Sequence, residues 1–130
     1  MKKVILCVDD EKIILSGIKT QLKRNFGDEY QYETAENAID AMEIIEELVG
    51  TEAHILIIVS DWLMPGIKGD EFLINVHKRF PNIVNIMLTG QANEEAIVRA
   101  KEQANLHCCL HKPWNEKDLI DAIKTGIEKT

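Results

Sequence analysis

Short apolar runs alternate with longer amphipathic stretches from one end of the chain to the other. Val4–Val8 is apolar and rich in β-branched residues, which predicts a strand. Leu15, Ile18, Leu22 and Phe26 then recur at helical spacing, and Gly27 is placed to end that helix. Tyr30–Thr34 predicts a second, weaker strand. Ala38, Ala41, Met42, Ile45, Leu48 and Val49 form a helical stripe with Gly50 behind it, and Met42, Ile45 and Val49 are expected in the core. His54–Ser60 is the third predicted strand, and its apolar run Ile55–Val59 suits burial on both faces. That run leads straight into Asp61, and Pro65 and Gly66 then stop regular structure. Phe72, Leu73 and Val76 suit a helix that ends before Pro81. Ile83–Leu88 and Leu106–His111 predict two more strands, with Ala96, Ile97 and Ala100 on a helix between them. Asn115 can cap a last helix, with Asp118 in a capping-box position, that buries Leu119, Ile120, Ile123 and Ile127.

Strand–helix pairs repeated in this way imply an α/β fold with a doubly wound parallel sheet and helices on both faces. Right-handed crossovers leave few topologies, and the flavodoxin-like (βα)5 arrangement with strand order 2-1-3-4-5 is expected. In such a sheet the site lies beyond the carboxyl ends of the strands, where strands one and three part company.

Composition narrows the function classes. The 130 residues suit one domain, residues 1–130, and 45% hydrophobic residues suffice for a core. Acidic side chains outnumber basic ones, 22 to 15, for a formal net charge of -7. That balance argues against a nucleic-acid or anionic-membrane surface, since both need positive charge. Cys7, Cys108 and Cys109 lie in apolar runs and suit buried thiols in a reducing compartment. The N-terminal apolar run is too short for a signal-peptide core, and no stretch approaches a membrane span. A soluble cytoplasmic protein is expected.

The carboxyl ends of the predicted strands carry the chemistry. Strand one ends at Asp9 and Asp10, strand three at Asp61, strand four at Thr89 and strand five at Lys112. One acid at a strand end is an ordinary turn residue; three Asp, one Thr and one Lys on a single rim are not explained that way. Crowded carboxylates repel and raise the pKa of at least one of them, and a hard divalent cation such as Mg²⁺ removes the repulsion. Thr89 can donate to a phosphoryl oxygen, Lys112 can neutralise another, and a carboxylate can attack phosphorus.

VDDE after the first strand, SDWLMPGIKG after the third, LTG after the fourth and HKPW after the fifth resemble the four marks of the receiver domain of two-component response regulators. The resemblance covers essentially the whole chain. It implies a switch that accepts a phosphoryl group on Asp61 from a sensor histidine kinase or phosphotransfer protein. It casts Asp10 as a direct Mg²⁺ ligand, Asp9 as one acting through water, and the Leu63 carbonyl as a further ligand beside Asp61. Thr89 and Lys112 would contact the phosphoryl group, Lys112–Pro113 would be cis, and Gly69 would begin the third helix. An output domain in a longer chain and a phosphorylation-dependent dimer are the further partners it implies. Direct contact with nucleic acid or membrane is not expected.

Two positions depart from the family pattern: Cys109 stands where an aromatic is usual, and Gly90 where alanine is usual after Thr89. Together with Thr89 they are the expected switch residues, and they point to a signal carried mainly by displacement of the loop Thr89–Asn93 and the helix after it rather than by a rotating ring. Two rival functions are a pure interaction module on the same fold and an aspartate-nucleophile phosphohydrolase. The first would be expected to have lost one of Asp10, Asp61, Thr89 or Lys112. The second usually carries Asp-x-Asp after its first strand, whereas here the acids are adjacent. His107, Cys109 and His111 alternate along one predicted strand face, but their spacing fits no zinc finger. Cys108 and Cys109 are neighbours that would face opposite ways, which disfavours a redox pair. Trp62 and Trp114 flank the rim and suit a gate, a contact with a partner, or a partly exposed cover of the core edge.

Overall fold

A computed structural model describes residues 2–91 and 94–130. Its elements run β1 (Lys3–Val8), α1 (Lys12–Phe26), β2 (Gln31–Ala35), α2 (Ala38–Val49), β3 (His54–Asp61), α3 (Gly69–Arg79), β4 (Val84–Thr89), α4 (Glu94–Gln103), β5 (Cys108–His111) and α5 (Glu116–Glu128). The five strands form one parallel sheet in the order β2-β1-β3-β4-β5. The flavodoxin-like order expected from the pattern is therefore the order found.

Each face of the sheet has its own apolar layer. Ile5, Cys7, Ile57, Val59, Ile86 and Leu88 meet Leu15, Ile18 and Leu22 of α1 and Leu119 and Ile123 of α5. Leu6, Val8, Ile58 and Met87 meet Ala41 and Ile45 of α2, Phe72 and Val76 of α3, and Ala96 and Ala100 of α4. Val4–Val8 are at most 1% exposed, so β1 is buried on both faces as a central parallel strand must be. Each such side chain contributes roughly 1.5–3 kcal/mol of burial. Local chemistry sets the helix ends. Gly27, at φ 59°, closes α1 with its N–H on the Lys23 carbonyl. The side chains of Asn37 and Asn115 accept from Asp40 N and Lys117 N to cap α2 and α5.

The structure differs from the sequence reading where tertiary context decides. Val49 is 53% exposed, so of its stripe Ile45 is core, Met42 half-buried and Val49 outside, at the point where α2 ends. Cys108 and Cys109 are half-buried because β5 is a sheet edge, and only Cys7 is fully buried. Burial pushes the Cys7 thiol up to about 12, and both other thiols above their ordinary value, so none is activated. Cys108 packs toward α1 and α5 and Cys109 toward α2, α3 and α4, on opposite faces. His107 lies just before β5 and does not share the Cys109 face. Its Nε2 pairs with Thr125 Oγ1 of α5 at 2.8 Å, which separates the three residues considered for zinc.

The Thr125 hydroxyl lies 3.0 and 3.1 Å from the Asp121 and Ala122 carbonyls, so it donates there and accepts from His107 Nε2–H. That leaves the buried Nδ1 as an unpartnered acceptor. Burial, and then the Lys129 charge, hold the His107 pKa below its ordinary value, against a backbone hydrogen bond with Ala122. A base that is harder to protonate when folded weakens the fold as pH drops through its unfolded pKa towards the folded one. The melting temperature should therefore fall between pH 7 and pH 5, and less steeply in His107→Gln, as thermal unfolding monitored by circular dichroism at each pH will show.

Candidate functional site

Asp9, Asp10, Asp61 and Lys112 meet at the carboxyl edge because four features of the backbone bring them there. Asp9 follows β1 directly, its N–H held by the Ala35 carbonyl of β2 at 3.1 Å. Asp61 is the last residue of β3 and pairs in register with Leu88 of β4. The Lys112 N–H donates to the Thr89 carbonyl at 2.8 Å, and the Lys112–Pro113 peptide is cis. Gly69 lets the start of α3 lie against the end of β3, its N–H on the Trp62 carbonyl at 2.7 Å. A Cβ there would stand 2.2 Å from the Asp61 carbonyl oxygen and 2.8 Å from Trp62 Cα, so no larger residue fits without moving the backbone that carries Asp61.

Asp9 is fully buried and Asp61 is 4% exposed, whereas Asp10 faces solvent. Lys112 Nζ lies 2.7 Å from Asp9 Oδ2 and 3.1 Å from Asp61 Oδ1. Asp9 Oδ1 accepts the Glu11 N–H at 2.9 Å. Carboxylate oxygens of Asp9, Asp10 and Asp61 all lie within 4.8 Å of one another. Three carboxylates against one ammonium leave two negative charges uncompensated, which matches a divalent cation. An all-oxygen donor set with one open side fits Mg²⁺, which keeps several waters when bound. Asp10, Glu11, Asp61, Trp62, Leu63, Gly90, Gln91 and Lys112 line a cleft of about 490 Å³ at this edge. Among the described residues no other group of His, Cys, Asp and Glu is placed to hold a metal.

Electrostatics follow from the crowding. Burial raises the Asp61 pKa first, Asp9 raises it further, Lys112 lowers it, and Asp10 raises it again. For Lys112 burial opposes the charge, but hydrogen bonds to Asp9 and Asp61 outweigh it and hold the ammonium pKa above its ordinary value. Thr89 is 2% exposed, and its hydroxyl is engaged with the backbone of Gln91: it donates to the carbonyl and accepts the N–H at 3.1 Å. To bond any ligand in the cleft it must exchange the Gln91 carbonyl for the new acceptor.

Comparison with known proteins adds the decisive observation. Residues 5–124 match the family model described as the response regulator receiver domain. The chain belongs to that family. It is 30% identical over 124 residues, 95% of its length, to the hydrogenase transcriptional regulatory protein HoxA of Cupriavidus necator, and it spans 24% of that regulator. It spans a quarter or less of the length of several such relatives. Among solved structures, it overlays the CheY-like response regulator receiver domain protein of Methanospirillum hungatei with a TM-score of 0.85 and 30% identity, covering 99% of this chain and 96% of that one. The beryllofluoride-activated NtrC4 receiver domain gives a TM-score of 0.84 at 29% identity, over 99% of this chain and 98% of that one. No helix among the described residues is long and apolar enough to cross a membrane.

Each of the two tryptophans has its indole N–H bonded within the fold. Trp62 is 8% exposed and donates its indole N–H to Asp70 Oδ1 at 3.1 Å, whereas half-buried Trp114 donates to Gln21 Oε1 of α1 at 2.8 Å. Asp70 was not singled out by any motif. It stands in the first turn of α3, where acids are common on solvated helix faces, and only the fold shows it to be buried. The predicted switch loop includes Ala92 and Asn93, which lie outside the described residues.

A carboxyl whose pKa is raised by folding keeps a proton that the unfolded chain gives up. Its contribution to stability therefore declines as pH rises from the ordinary aspartate range through the raised value. Asp61→Asn removes that penalty and leaves Lys112 its bond to Asp9. In the absence of metal the variant should melt about 3 °C higher than the parent at pH 7.5, a gain of roughly 1 kcal/mol. The gap should close towards pH 4, and saturating Mg²⁺ should reverse it. Calorimetric scans with chelator and with Mg²⁺ measure all three.

Proposed function

We propose that the chain receives a phosphoryl group on Asp61 from a phosphohistidine on a sensor histidine kinase or phosphotransfer protein. The observation that carries this reading is the rim of Asp9, Asp10 and Asp61 with only Lys112 to balance them. Asp10 and Asp61, with the Leu63 carbonyl, are assigned as direct ligands of Mg²⁺, and Asp9 as a ligand through water. When bound, Mg²⁺ neutralises charge on the carboxylates and on the transferred group.

Asp61 is the nucleophile. One of its carboxylate oxygens attacks phosphorus, the P–N bond to the donor imidazole breaks, and its electron pair stays with the imidazole, which retains or takes up a proton. β3 holds the carboxylate at the mouth of the cleft, so the attacking oxygen needs no search. Lys112 stays in place and turns from Asp61 Oδ1 to a phosphoryl oxygen, while Asp9 keeps its ammonium oriented. Thr89 leaves the Gln91 carbonyl and donates to another phosphoryl oxygen. Loss of the phosphoryl group to water returns the site to its starting state, so this chemistry serves a switch rather than turnover of an outside substrate. An output domain or partner in the whole regulator would read the change.

Thr89, Gly90 and Cys109 are assigned to the switch. Cys109 is half-buried against the α2–α4 layer and small, so it leaves little volume to rotate. Withdrawal of the Thr89 hydroxyl from Gln91 frees the loop that leads into α4. Among the described residues no atom lies within 4 Å of a Cβ built on Gly90. Gly90→Ala should change the response to beryllofluoride more than Cys109→Ala. Amide exchange resolves this: changes confined to 106–111, with the peptides of α4 silent, would assign the switch to β5 instead.

Treatment with acetyl phosphate and Mg²⁺ should add one phosphoryl group, seen by intact-mass spectrometry, and add none to Asp61→Asn. Asp10→Ala should abolish Mg²⁺ binding, and Asp9→Ala should only weaken it. Full labelling of Asp61→Asn, or labelling that survives chelation of the metal, would overturn the assignment.

A further inference from the structure

Asp70 is 7% exposed, and a buried carboxylate is costly unless both its oxygens are paired. Both are paired here, to different parts of the fold. Oδ1 accepts the Trp62 indole N–H at 3.1 Å, and Oδ2 accepts Arg99 Nη1 of α4, also at 3.1 Å. The start of α3 adds a favourable dipole for the negative charge. Asp70 is thus the junction between the residue that follows Asp61 and α4.

Trp62 is fixed at every polar group it has. Its N–H donates to the Leu88 carbonyl at 2.8 Å, its carbonyl accepts Gly69 N–H at 2.7 Å, and its indole is held by Asp70. Lys68 Nζ lies 5.3 Å from the ring centroid and covers the indole from outside. The next residue, Leu63, lines the cleft with Asp10 and Asp61. A fixed Trp62 therefore fixes where the backbone enters that cleft.

The two halves of the junction differ in strength. The Trp62–Asp70 bond is buried at both ends, whereas the Arg99 side chain is 48% exposed. A half-exposed ion pair is worth little and opens readily to water. The buried half is the permanent one, and the Arg99 half is the releasable one.

We propose that Asp70 is a positioning residue for the phosphorylation site, holding the loop 62–64 through Trp62 and latching α4 to that loop through Arg99. The proposal deepens the reading of the site as an Mg²⁺-dependent phosphoacceptor and rests on it. It goes beyond that reading in tying α4 to the ligand loop through a half-exposed ion pair. If Asp70 merely satisfied a buried indole, Arg99 could be removed without effect on α4.

The test uses the whole chain with Mg²⁺ as the probe, followed by amide NMR titration and amide hydrogen exchange. Trp62→Phe keeps the ring and removes the donor to Asp70. It should weaken Mg²⁺ binding about tenfold, the scale seen when a partner that orients a metal ligand is lost. Asp70→Asn keeps an acceptor for the indole and loses the charge that holds Arg99. It should bind Mg²⁺ within about twofold of the parent, as should Arg99→Gln. Both should speed amide exchange in α4 in the metal-free protein, and Arg99→Lys should restore protection. Parent-like Mg²⁺ affinity in Trp62→Phe, or α4 exchange unmoved in both Asp70→Asn and Arg99→Gln, would overturn the proposal. Parent-like Mg²⁺ affinity in Asp10→Ala would instead sink the phosphoacceptor reading, and the metal-free exchange of α4 would still decide the latch. A Trp62→Phe variant that fails to fold leaves the decision to that same exchange.

Discussion

Lys112 reaches from the end of β5 past β4 to carboxylates on β1 and β3, so a single ammonium ties three strand ends together. Its position is set by main chain, through the bond of its N–H to the Thr89 carbonyl, and its charge by Asp9, which is wholly buried. Taking these groups out of water is costly, and the attraction between them repays that cost only while the geometry holds. The order of the strands is what supplies the geometry. β1 and β3 must be neighbours for Asp9, Asp10 and Asp61 to converge, and β4 and β5 must follow for Thr89 and Lys112 to face them. An apolar layer on each face of the sheet keeps that order rigid, and the carboxylates stand at its rim, where loops leave the cleft open.

A second constraint lies in the backbone beyond Asp61. Gly69 brings the start of α3 onto the Asp61–Trp62 peptide so closely that even a methyl group would collide with it. The close approach sets the entry angle of α3 and with it the place of Asp70. Core, strand end, glycine and buried acid thus form one chain of dependence that begins at the carboxylate rim and ends at α4.

Most of this was legible in the sequence where the signal was local. Uninterrupted apolar runs gave the central strands, helical stripes gave the amphipathic helices, and the acids after two of those runs marked the rim. Even the weak strand was found, displaced by one residue, Gln31–Ala35 rather than Tyr30–Thr34. What was not legible depended on partners distant in sequence. Asp70 looks like an ordinary first-turn acid until Arg99, 29 residues on, is placed beside it. His107 looks like part of an alternating strand until α5 draws its ring away to Thr125. Val49 continues a helical stripe faultlessly and is still exposed, because periodicity gives the side of a helix and not how far its cover extends.

At the rim the fold works against itself. Burial and two neighbouring carboxylates all push the Asp61 pKa up, and Lys112 alone opposes them. A core of Ile, Val and Leu would be more stable at those positions, and the excess negative charge is tolerated only because the layers beneath it hold the strands in place. That excess is also what gives the site its selectivity. A divalent cation gains most where two charges are unmatched, and a phosphoryl group gains most once that cation and Lys112 are both present. A rim already neutral would bind the cation less strongly.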